Sequence, residues 1–297
     1  MTIRRFGLTR RLPFLKNLFR TLISKLLDFS EYPFTKGLVL SLLKERDLKL
    51  YEIFYKDDFH EYHRSLLKIL LPDKDFENLS LTRLGSFNDG GYMVPNANLK
   101  HSKWISIGLG NNVDFENHLS NKLNNVFAFD HTLDSRPKNL DNDVIWFKFG
   151  YSRVPRNNIG NLKSLFELSG IESREAWNLK ADIEGYEWEL FLELIESDSR
   201  PEIIVCELHF LLFDPDAFKS RLATLLKLHE YFEPVSIQGN NFSAYYSEGN
   251  YGIYDSMEVT FLRRDMRSKY LSIRGSSEKQ VYLNDPSRKY FPVFSLG

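Results

Sequence analysis

The chain has 297 residues, of which 42% are hydrophobic and 27% charged, and its formal net charge is -1. This composition excludes a collagen-like or low-complexity chain and argues against wholesale disorder, because enough apolar side chains are present for a sizeable core. Cys206 is the one cysteine, which excludes an intrachain disulfide and a cysteine-based metal cluster and suits a reducing, cytoplasmic compartment. The near-neutral charge gives no reason to expect a nucleic-acid partner.

Residues 1–27 form a basic, amphipathic segment that opposes the overall charge balance. They include arginines and lysines but no acidic residue, and apolar side chains recur at helical spacing between Phe14 and Leu27. The pattern predicts a helix that packs on protein or lies on a membrane surface, where anionic headgroups attract its basic side chains. Further helical patterns at 36–55 and 58–71 complete a predicted helical extension over residues 1–75. We therefore expect a cytoplasmic protein, with peripheral contact to the cytoplasmic face of the membrane as one role of this segment.

The sequence after Pro72 changes to short, β-rich runs. The runs at 81–86 and 91–95 flank Asn88, Asp89 and Gly90, a turn sequence typical of a β-hairpin in which glycine takes a positive φ. Further predicted strands lie at 104–108, 126–130, 144–149, 179–183, 203–208, 234–237 and 258–262. Between them lie helix-length segments at 115–123, 161–168, 188–196 and 215–231. This alternation predicts a Rossmann-like α/β domain over residues 76–297, with a mostly parallel sheet covered on both faces and ligands bound beyond the carboxyl ends of its strands.

A glycine loop follows the first strand of this sheet. Gly108 and Gly110 let the backbone turn tightly and let a ligand approach it, and Asn111 and Glu116 follow near the start of the next helix. The loop lacks the third glycine of the dinucleotide fingerprint, and an acidic helix start disfavours a pyrophosphate. An amino-acid-bearing nucleoside fits these residues better, unless the glycines only connect a strand to a helix.

Asp130 ends the next strand, roughly twenty residues after Gly108, where the acid of a Rossmann-like site accepts hydrogen bonds from ribose hydroxyls. The alternative is a carboxylate that only caps the following turn. Because the glycine loop precedes Asp130 at the required spacing, we favour ribose binding.

Acidic residues and a histidine follow the next two predicted strands. Asp182 and Glu184 share a strand parity, so both face the same cleft. Glu207 and His209 come at the end of the following strand. Grouping three carboxylates with a histidine is electrostatically costly, so we expect a cation, a bound substrate or a raised pKa there, the alternative being a set of solvated loop acids. The amide side chains within 238–241, after another strand, are further candidates to bind ligand hydroxyls, or they form an ordinary turn.

These motifs occur in order along the chain. They are the run from Arg83 to Tyr92 with its Asp-Gly-Gly-Tyr element, Ser-Ile-Gly-Leu-Gly at 106–110, Phe-Ala-Phe-Asp at 127–130, Asp-Ile-Glu-Gly-Tyr-Glu at 182–187 and Glu-Leu-His at 207–209. Together they resemble the FkbM-like family of S-adenosylmethionine-dependent methyltransferases, over about residues 81–264. The resemblance implies S-adenosylmethionine as the cofactor and a class I methyltransferase sheet whose last strand, 258–262, is antiparallel.

The resemblance also assigns residues to the cofactor and to the cleft. It implies that the glycine loop passes close to the methionine part of the cofactor, that Asp130 holds the ribose, and that Asp182 and Glu184 lie near the methyl-transfer cleft. The Asp-Gly-Gly-Tyr element then borders the cofactor carboxylate. The candidate cofactor-binding residues are Asp89, Gly90, Tyr92, Gly108, Gly110, Asn111, Glu116, Asp130 and Asp182.

Methyl transfer from a sulfonium to a hydroxyl is an in-line displacement that also removes the acceptor proton. His209 is the preferred general base, with Glu207 or Glu184 to fix its tautomer, so these three are the candidate catalytic residues. The alternative places Mg²⁺ or another divalent cation between Asp182, Glu207 and His209, where it lowers the pKa of the acceptor hydroxyl.

The resemblance implies O-methylation, here of a hydroxyl on a sugar, glycan or glycolipid precursor, as in polysaccharide biosynthesis. Tyr245, Tyr246, Tyr251 and Tyr254 are candidates for stacking on a sugar ring, or they serve core and loop packing. Two other functions stay open. One is a metal-dependent glycosyltransferase with a nucleotide-sugar, which acidic strand ends also suit. The other is a non-catalytic membrane-associated scaffold, which has no need for the polar cluster.

Overall fold

The computed structural model describes residues 61–96, 102–121, 125–172, 174–209, 211–212, 215–248 and 251–273. The predicted basic helix within 1–27 and the helical pattern at 36–55 lie outside these residues, so the membrane or partner contact of that segment stays a prediction. Within the described ranges, no helix is long and apolar enough to cross a membrane.

The elements are numbered here in chain order. The strands are β1 (Leu81–Gly85), β2 (Gly91–Pro95), β3 (Lys103–Ile107), β4 (Val126–Phe129), β5 (Val144–Phe147), β6 (Gly150–Tyr151), β7 (Ile159–Gly160), β8 (Trp177–Ala181), β9 (Ile203–Leu208), β10 (Phe232–Gly239), β11 (Tyr245–Glu248), β12 (Tyr251–Tyr254) and β13 (Met257–Arg263). The helices are α1 (described over 61–70), α2 (Asp114–Ser120), α3 (Leu162–Ser169), α4 (Glu187–Glu196), α5 (Pro215–Leu228) and α6 (Arg267–Leu271).

The central sheet has the strand order β10-β13-β9-β8-β3-β4-β5. β3 pairs in parallel with both β4 and β8, β4 pairs in parallel with β5, and β8 pairs in parallel with β9. β13 is antiparallel to both of its neighbours, β9 and β10. The predicted mostly parallel sheet with an antiparallel last strand is therefore confirmed. Since the chain adds β4 and β5 on one side of β3 and β8 and β9 on the other, a ligand crevice is expected at the carboxyl end of β3.

Both faces of the sheet are covered, as the strand–helix alternation predicts. Neighbouring residues of β3 face opposite sides, because Trp104 belongs to one hydrophobic cluster and Ile105 to the other. The Ile105 cluster includes side chains of α1, α3, α4 and α5, and the Trp104 cluster includes those of β1, β2 and α2. Leu66 and Leu70 of α1 are fully buried. Residues 61–70 thus pack into the core of the sheet domain, although the sequence assigned them to the extension.

The predicted hairpin is formed by β1 and β2, which pair antiparallel. Gly90 takes a φ of 80° in its turn. Thr260 of β13 donates its hydroxyl hydrogen to the carbonyl oxygen of Met93 at 2.5 Å, which ties the hairpin to the central sheet. At the other end, the side-chain amide of Asn112 donates to the carbonyl oxygen of Asp89 at 2.6 Å. The hairpin turn therefore lies against the glycine loop.

β11 and β12 form a second antiparallel hairpin, which the sequence did not predict. Its strands are short, and their tyrosines suggested a ligand-binding surface instead. Tyr246 and Tyr254 are only 7% and 1% exposed. The ring of Tyr254 fills the space in which a Cβ on Gly239 would lie. These two tyrosines belong to the core, which favours the packing alternative over sugar stacking for them.

Candidate active site

The glycine loop lies where the ends of β3 and β8 meet. Gly108 has a φ of 79°, and a Cβ at this position would overlap the carbonyl oxygen of Asp182. The ammonium group of Lys180 donates to the carbonyl oxygen of Gly108. Gly110 has a φ of 57°, and a Cβ there would meet nothing within 4 Å. Gly108 is therefore required for the close approach of two strand ends, whereas Gly110 and the exposed Asn111 border open space.

Asp130 holds this loop through both of its carboxylate oxygens. Oδ2 accepts hydrogen bonds from the backbone amides of Leu109 at 2.9 Å and Gly110 at 3.0 Å. Oδ1 accepts from the amide of Thr132 at 2.8 Å and from its hydroxyl at 2.6 Å. Burial by itself raises the pKa of Asp130, but the hydrogen bonds from Thr132, Gly110 and Leu109 outweigh burial and lower the pKa. Asp130 therefore lies beside the glycine loop with protein donors on both carboxylate oxygens, and its role as a ribose ligand stays a prediction.

Glu116 lies in the interior near the glycine loop and not on its surface. Its side chain is 1% exposed, and Oε1 accepts a hydrogen bond from the Ser106 hydroxyl at 2.5 Å. Burial raises the pKa of Glu116, and the positive charge of Lys180 opposes this shift. In the described part of the chain, Oε2 has no hydrogen-bond partner. Glu116 is therefore a buried group beneath the loop, and its contact with the cofactor stays a prediction.

The predicted acidic residues and histidine meet at the ends of β8 and β9. Nε2 of His209 lies 3.6 Å from Glu184, 3.8 Å from Glu207 and 3.9 Å from Asp182, measured to the nearest carboxylate oxygen. Nδ1 of the same ring lies 3.2 Å from Oε1 of Glu187. The prediction that these strand ends converge on one cleft is therefore met by the geometry of the cluster, which we call the acid–histidine cluster.

Glu187 is the member that the sequence did not single out. It is completely buried at the start of α4, where Oε1 accepts from the amide of Ile183 at 2.8 Å and Oε2 from the amide of Gly185 at 2.9 Å. Glu184 and Gly185 have φ values of 54° and 101°, which turn the chain so that Glu187 folds back under the strand end. The sequence does carry a sign of this role, since Glu187 is an acidic residue in the first turn of a helix. Such residues often accept hydrogen bonds from the backbone amides that have no partner within the helix.

Two further residues bind the cluster from its flanks. The side-chain amide of Asn240 donates to Oε1 of Glu207 at 2.8 Å. The hydroxyl of Tyr92 donates to Oδ2 of Asp182 at 3.3 Å, and burial and then the charge of Asp182 raise the pKa of Tyr92 well above its usual value. Tyr92 is thus a neutral donor beneath Asp182, while Asp89 of the same hairpin is exposed at the rim.

Burial and neighbouring charges shift the pKa values within the cluster. Burial raises the pKa of Glu207 well above its usual value and also raises that of Glu184, while the charge on His209 opposes both shifts. Burial lowers the pKa of His209, but the charges of Glu187 and Glu207 outweigh burial and raise it well above the usual value. The surrounding carboxylates favour the protonated form of the imidazole, and the role of His209 as general base stays a prediction.

No family model matches this sequence, and no curated protein matches it. A candidate methyltransferase from Streptococcus mutans, solved in complex with S-adenosylhomocysteine, is 13% identical with a TM-score of 0.31, and the match covers 55% of this chain and 87% of that chain. An rRNA methylase from Streptococcus thermophilus is 12% identical with a TM-score of 0.32, over 64% of this chain and 91% of that chain. Similarity at this level carries no information on the reaction of this chain.

Proposed function

We propose that this chain is an S-adenosylmethionine-dependent methyltransferase of the FkbM-like type, which methylates a hydroxyl group of a sugar, glycan or glycolipid precursor. The observation that carries the proposal is the placement of two sites at adjoining strand ends. The glycine loop and Asp130 lie after β3 and β4, and the acid–histidine cluster lies after β8 and β9. A cofactor site beside a proton-handling site is the arrangement that alkylation of a hydroxyl requires.

The residues on the cofactor side fit S-adenosylmethionine in two respects. Gly110 borders open space, and Asp130 is a carboxylate at the loop whose pKa is lowered by its hydrogen bonds. In the proposed complex a ribose hydroxyl takes the place of the Thr132 hydroxyl on Oδ1 of Asp130. The bound cofactor supplies an electrophilic methyl group on a sulfonium.

The residues on the acceptor side fit the loss of a hydroxyl proton. Asp182 and Glu184 are the solvent-facing members of the cluster, with side chains 26% and 51% exposed, whereas His209 is 8% exposed. An acceptor therefore reaches the two carboxylates first. In the proposed step Glu184, whose pKa burial raises, takes the hydroxyl proton while the acceptor oxygen bonds to the methyl carbon and S-adenosylhomocysteine leaves.

Asp130→Ala is expected to weaken S-adenosylmethionine binding by at least about tenfold, because each hydrogen bond to a charged group contributes about 1.5–3 kcal/mol and the variant removes the acceptor that holds the Leu109 and Gly110 amides. Calorimetric titration with S-adenosylmethionine and S-adenosylhomocysteine measures the effect, at a temperature at which circular dichroism shows both proteins folded. Asp134→Ala is the matched control, since the carboxylate of Asp134 is fully exposed and lies 3.6 Å from Lys148.

The outcomes separate the parts of the proposal. If the unmodified protein binds neither compound, the methyltransferase proposal is wrong, and stabilisation by a nucleotide-sugar would favour the glycosyltransferase instead. If Asp130→Ala binds as tightly as the unmodified protein, the cofactor does not lie against this loop. Transfer of a labelled methyl group to a glycan as an alkali-stable ether tests the hydroxyl acceptor.

A further inference from the structure

We propose that the acid–histidine cluster is a binding site for a divalent cation of the Mg²⁺ or Mn²⁺ class, held by Asp182, Glu207 and Nε2 of His209. One ligand atom from each of these residues lies within 4.8 Å of the other two. A cation at about 2.1 Å from each ligand places neighbouring ligand atoms about 3 Å apart. The observed separations therefore need side-chain movements of only about 1 Å to close around a cation.

Each proposed ligand is held by an outer partner that is not itself a ligand. Glu187 contacts Nδ1 of His209 and thereby directs Nε2 toward the two carboxylates. Two backbone amides anchor Glu187, so its charge stays behind the ring. A carboxylate that accepts from the far nitrogen of a histidine is the usual outer support of a metal-ligating imidazole. Solvated loop acids have no need of such support.

The same holds for the two carboxylate ligands. Asn240 donates to Oε1 of Glu207 and Tyr92 donates to Oδ2 of Asp182, which leaves the remaining lone pairs of each carboxylate for a cation. The side chains of Glu207 and His209 are each 8% exposed, and that of Asp182 is 26% exposed. The site is therefore closed on the protein side and open toward the cleft, where coordination positions remain for acceptor oxygens.

The charge of the cluster favours a divalent ion. In the described residues, none of the carboxylates of Asp182, Glu184, Glu187 and Glu207 pairs with a lysine or arginine within 4.0 Å, and Arg83 lies against Glu258 instead. The ionised carboxylates of Asp182 and Glu207 together carry two negative charges, which one divalent cation neutralises. Two oxygen donors with one imidazole suit Mg²⁺ or Mn²⁺, because a softer ion such as Cu²⁺ or Zn²⁺ prefers more nitrogen or sulfur ligands.

This site makes His209 a ligand and not the base, since both roles use Nε2, and a cation bound there displaces the proton from that nitrogen. Cation binding itself does not depend on the proposed methyl transfer. The role of the cation in orienting the acceptor hydroxyl and lowering its pKa does rest on that proposed function.

The test is Mn²⁺ binding to the full chain without cofactor or acceptor, followed by electron paramagnetic resonance of the free ion. We expect one saturable site, and at least about a tenfold weaker affinity in both Asp182→Asn and Glu207→Gln. Glu189→Gln is the control, since Glu189 lies exposed on α4, two residues after Glu187. Competition by Mg²⁺ and an increase in melting temperature with Mn²⁺ are expected for the unmodified protein.

The outcomes distinguish this inference from the proposed function. No saturable Mn²⁺ binding by the unmodified protein, or unchanged binding in both ligand variants, overturns the cation site even if S-adenosylmethionine binds. Saturable binding that the two ligand variants lose supports the site even if S-adenosylmethionine does not bind. Because the unmodified protein already gives a result, a variant that fails to fold does not remove the test.

Discussion

Gly108→Ala is expected to destabilise the protein by about 2–6 kcal/mol. A residue other than glycine at positive φ costs about 1–3 kcal/mol, and forcing an extra carbon into a packed region costs a further 1–3 kcal/mol or so. Both costs apply here, since Gly108 has a φ of 79° and its added Cβ would overlap the carbonyl oxygen of Asp182. Urea unfolding followed by circular dichroism measures the loss.

Gly110→Ala is the matched control, for which we expect a small loss of stability and a larger loss of cofactor binding. Its φ of 57° adds backbone strain, but a Cβ meets nothing within 4 Å, so the stability loss is expected to stay near 1 kcal/mol. Because that open space is where the proposed cofactor lies, we expect weaker S-adenosylmethionine binding in a protein that is still folded. Equal stability losses in the two variants would show that the contact of Gly108 with the β8 strand end is not what requires a glycine.

Glu187→Gln is expected to reduce turnover by about 10–100-fold, the usual cost of losing the outer partner of a functional histidine. A glutamine has the shape of glutamate but only one acceptor oxygen. It cannot serve the amides of Ile183 and Gly185 and the ring of His209 together. We expect kcat and the Mn²⁺ affinity to fall while the KM for S-adenosylmethionine stays close to its original value, since the Asp130 loop is untouched.

The combination of readouts separates positioning from simple stabilisation. Leaving a buried donor without a partner costs about 1–3 kcal/mol, so some loss of stability is expected as well. Glu189→Gln changes an exposed acid on the same helix and should alter none of these quantities. A variant Glu187→Gln that is less stable but keeps its kcat and Mn²⁺ affinity would mean that Glu187 only closes the turn before α4.

Local patterns in the sequence were sufficient for the elements that position the site. The alternation of β-rich and helical runs predicted the mostly parallel sheet, because such strands need crossover connections. The sequence of Asn88, Asp89 and Gly90 predicted the hairpin, because its turn requires positive φ. The strand ends at Asp182 and His209 predicted the acid–histidine cluster, because parallel strands present their carboxyl ends at one edge of the sheet.

Other features depend on contacts between distant segments, which no local pattern encodes. The burial of Tyr246 and Tyr254 depends on how the β11–β12 hairpin packs on the sheet, and in particular on the space beside Gly239. The interior position of Glu116 depends on α2 packing against β3, where its carboxylate meets Ser106. Sequence alone could not distinguish these buried side chains from ligand-facing ones, because tyrosine and glutamate occur both in protein interiors and in ligand sites.

The sequence by itself therefore determined which residues terminate the strands and which types of chemical group meet at the cleft, since these follow from side-chain period and turn chemistry. Only the tertiary structure decided how those groups pair. It placed Glu187 behind His209, and it set the protein donors against Asp130, Asp182 and Glu207. The physical reason is that the pKa and orientation of a buried charged group depend on its burial and neighbours, which the chain acquires only when distant strand ends are brought together.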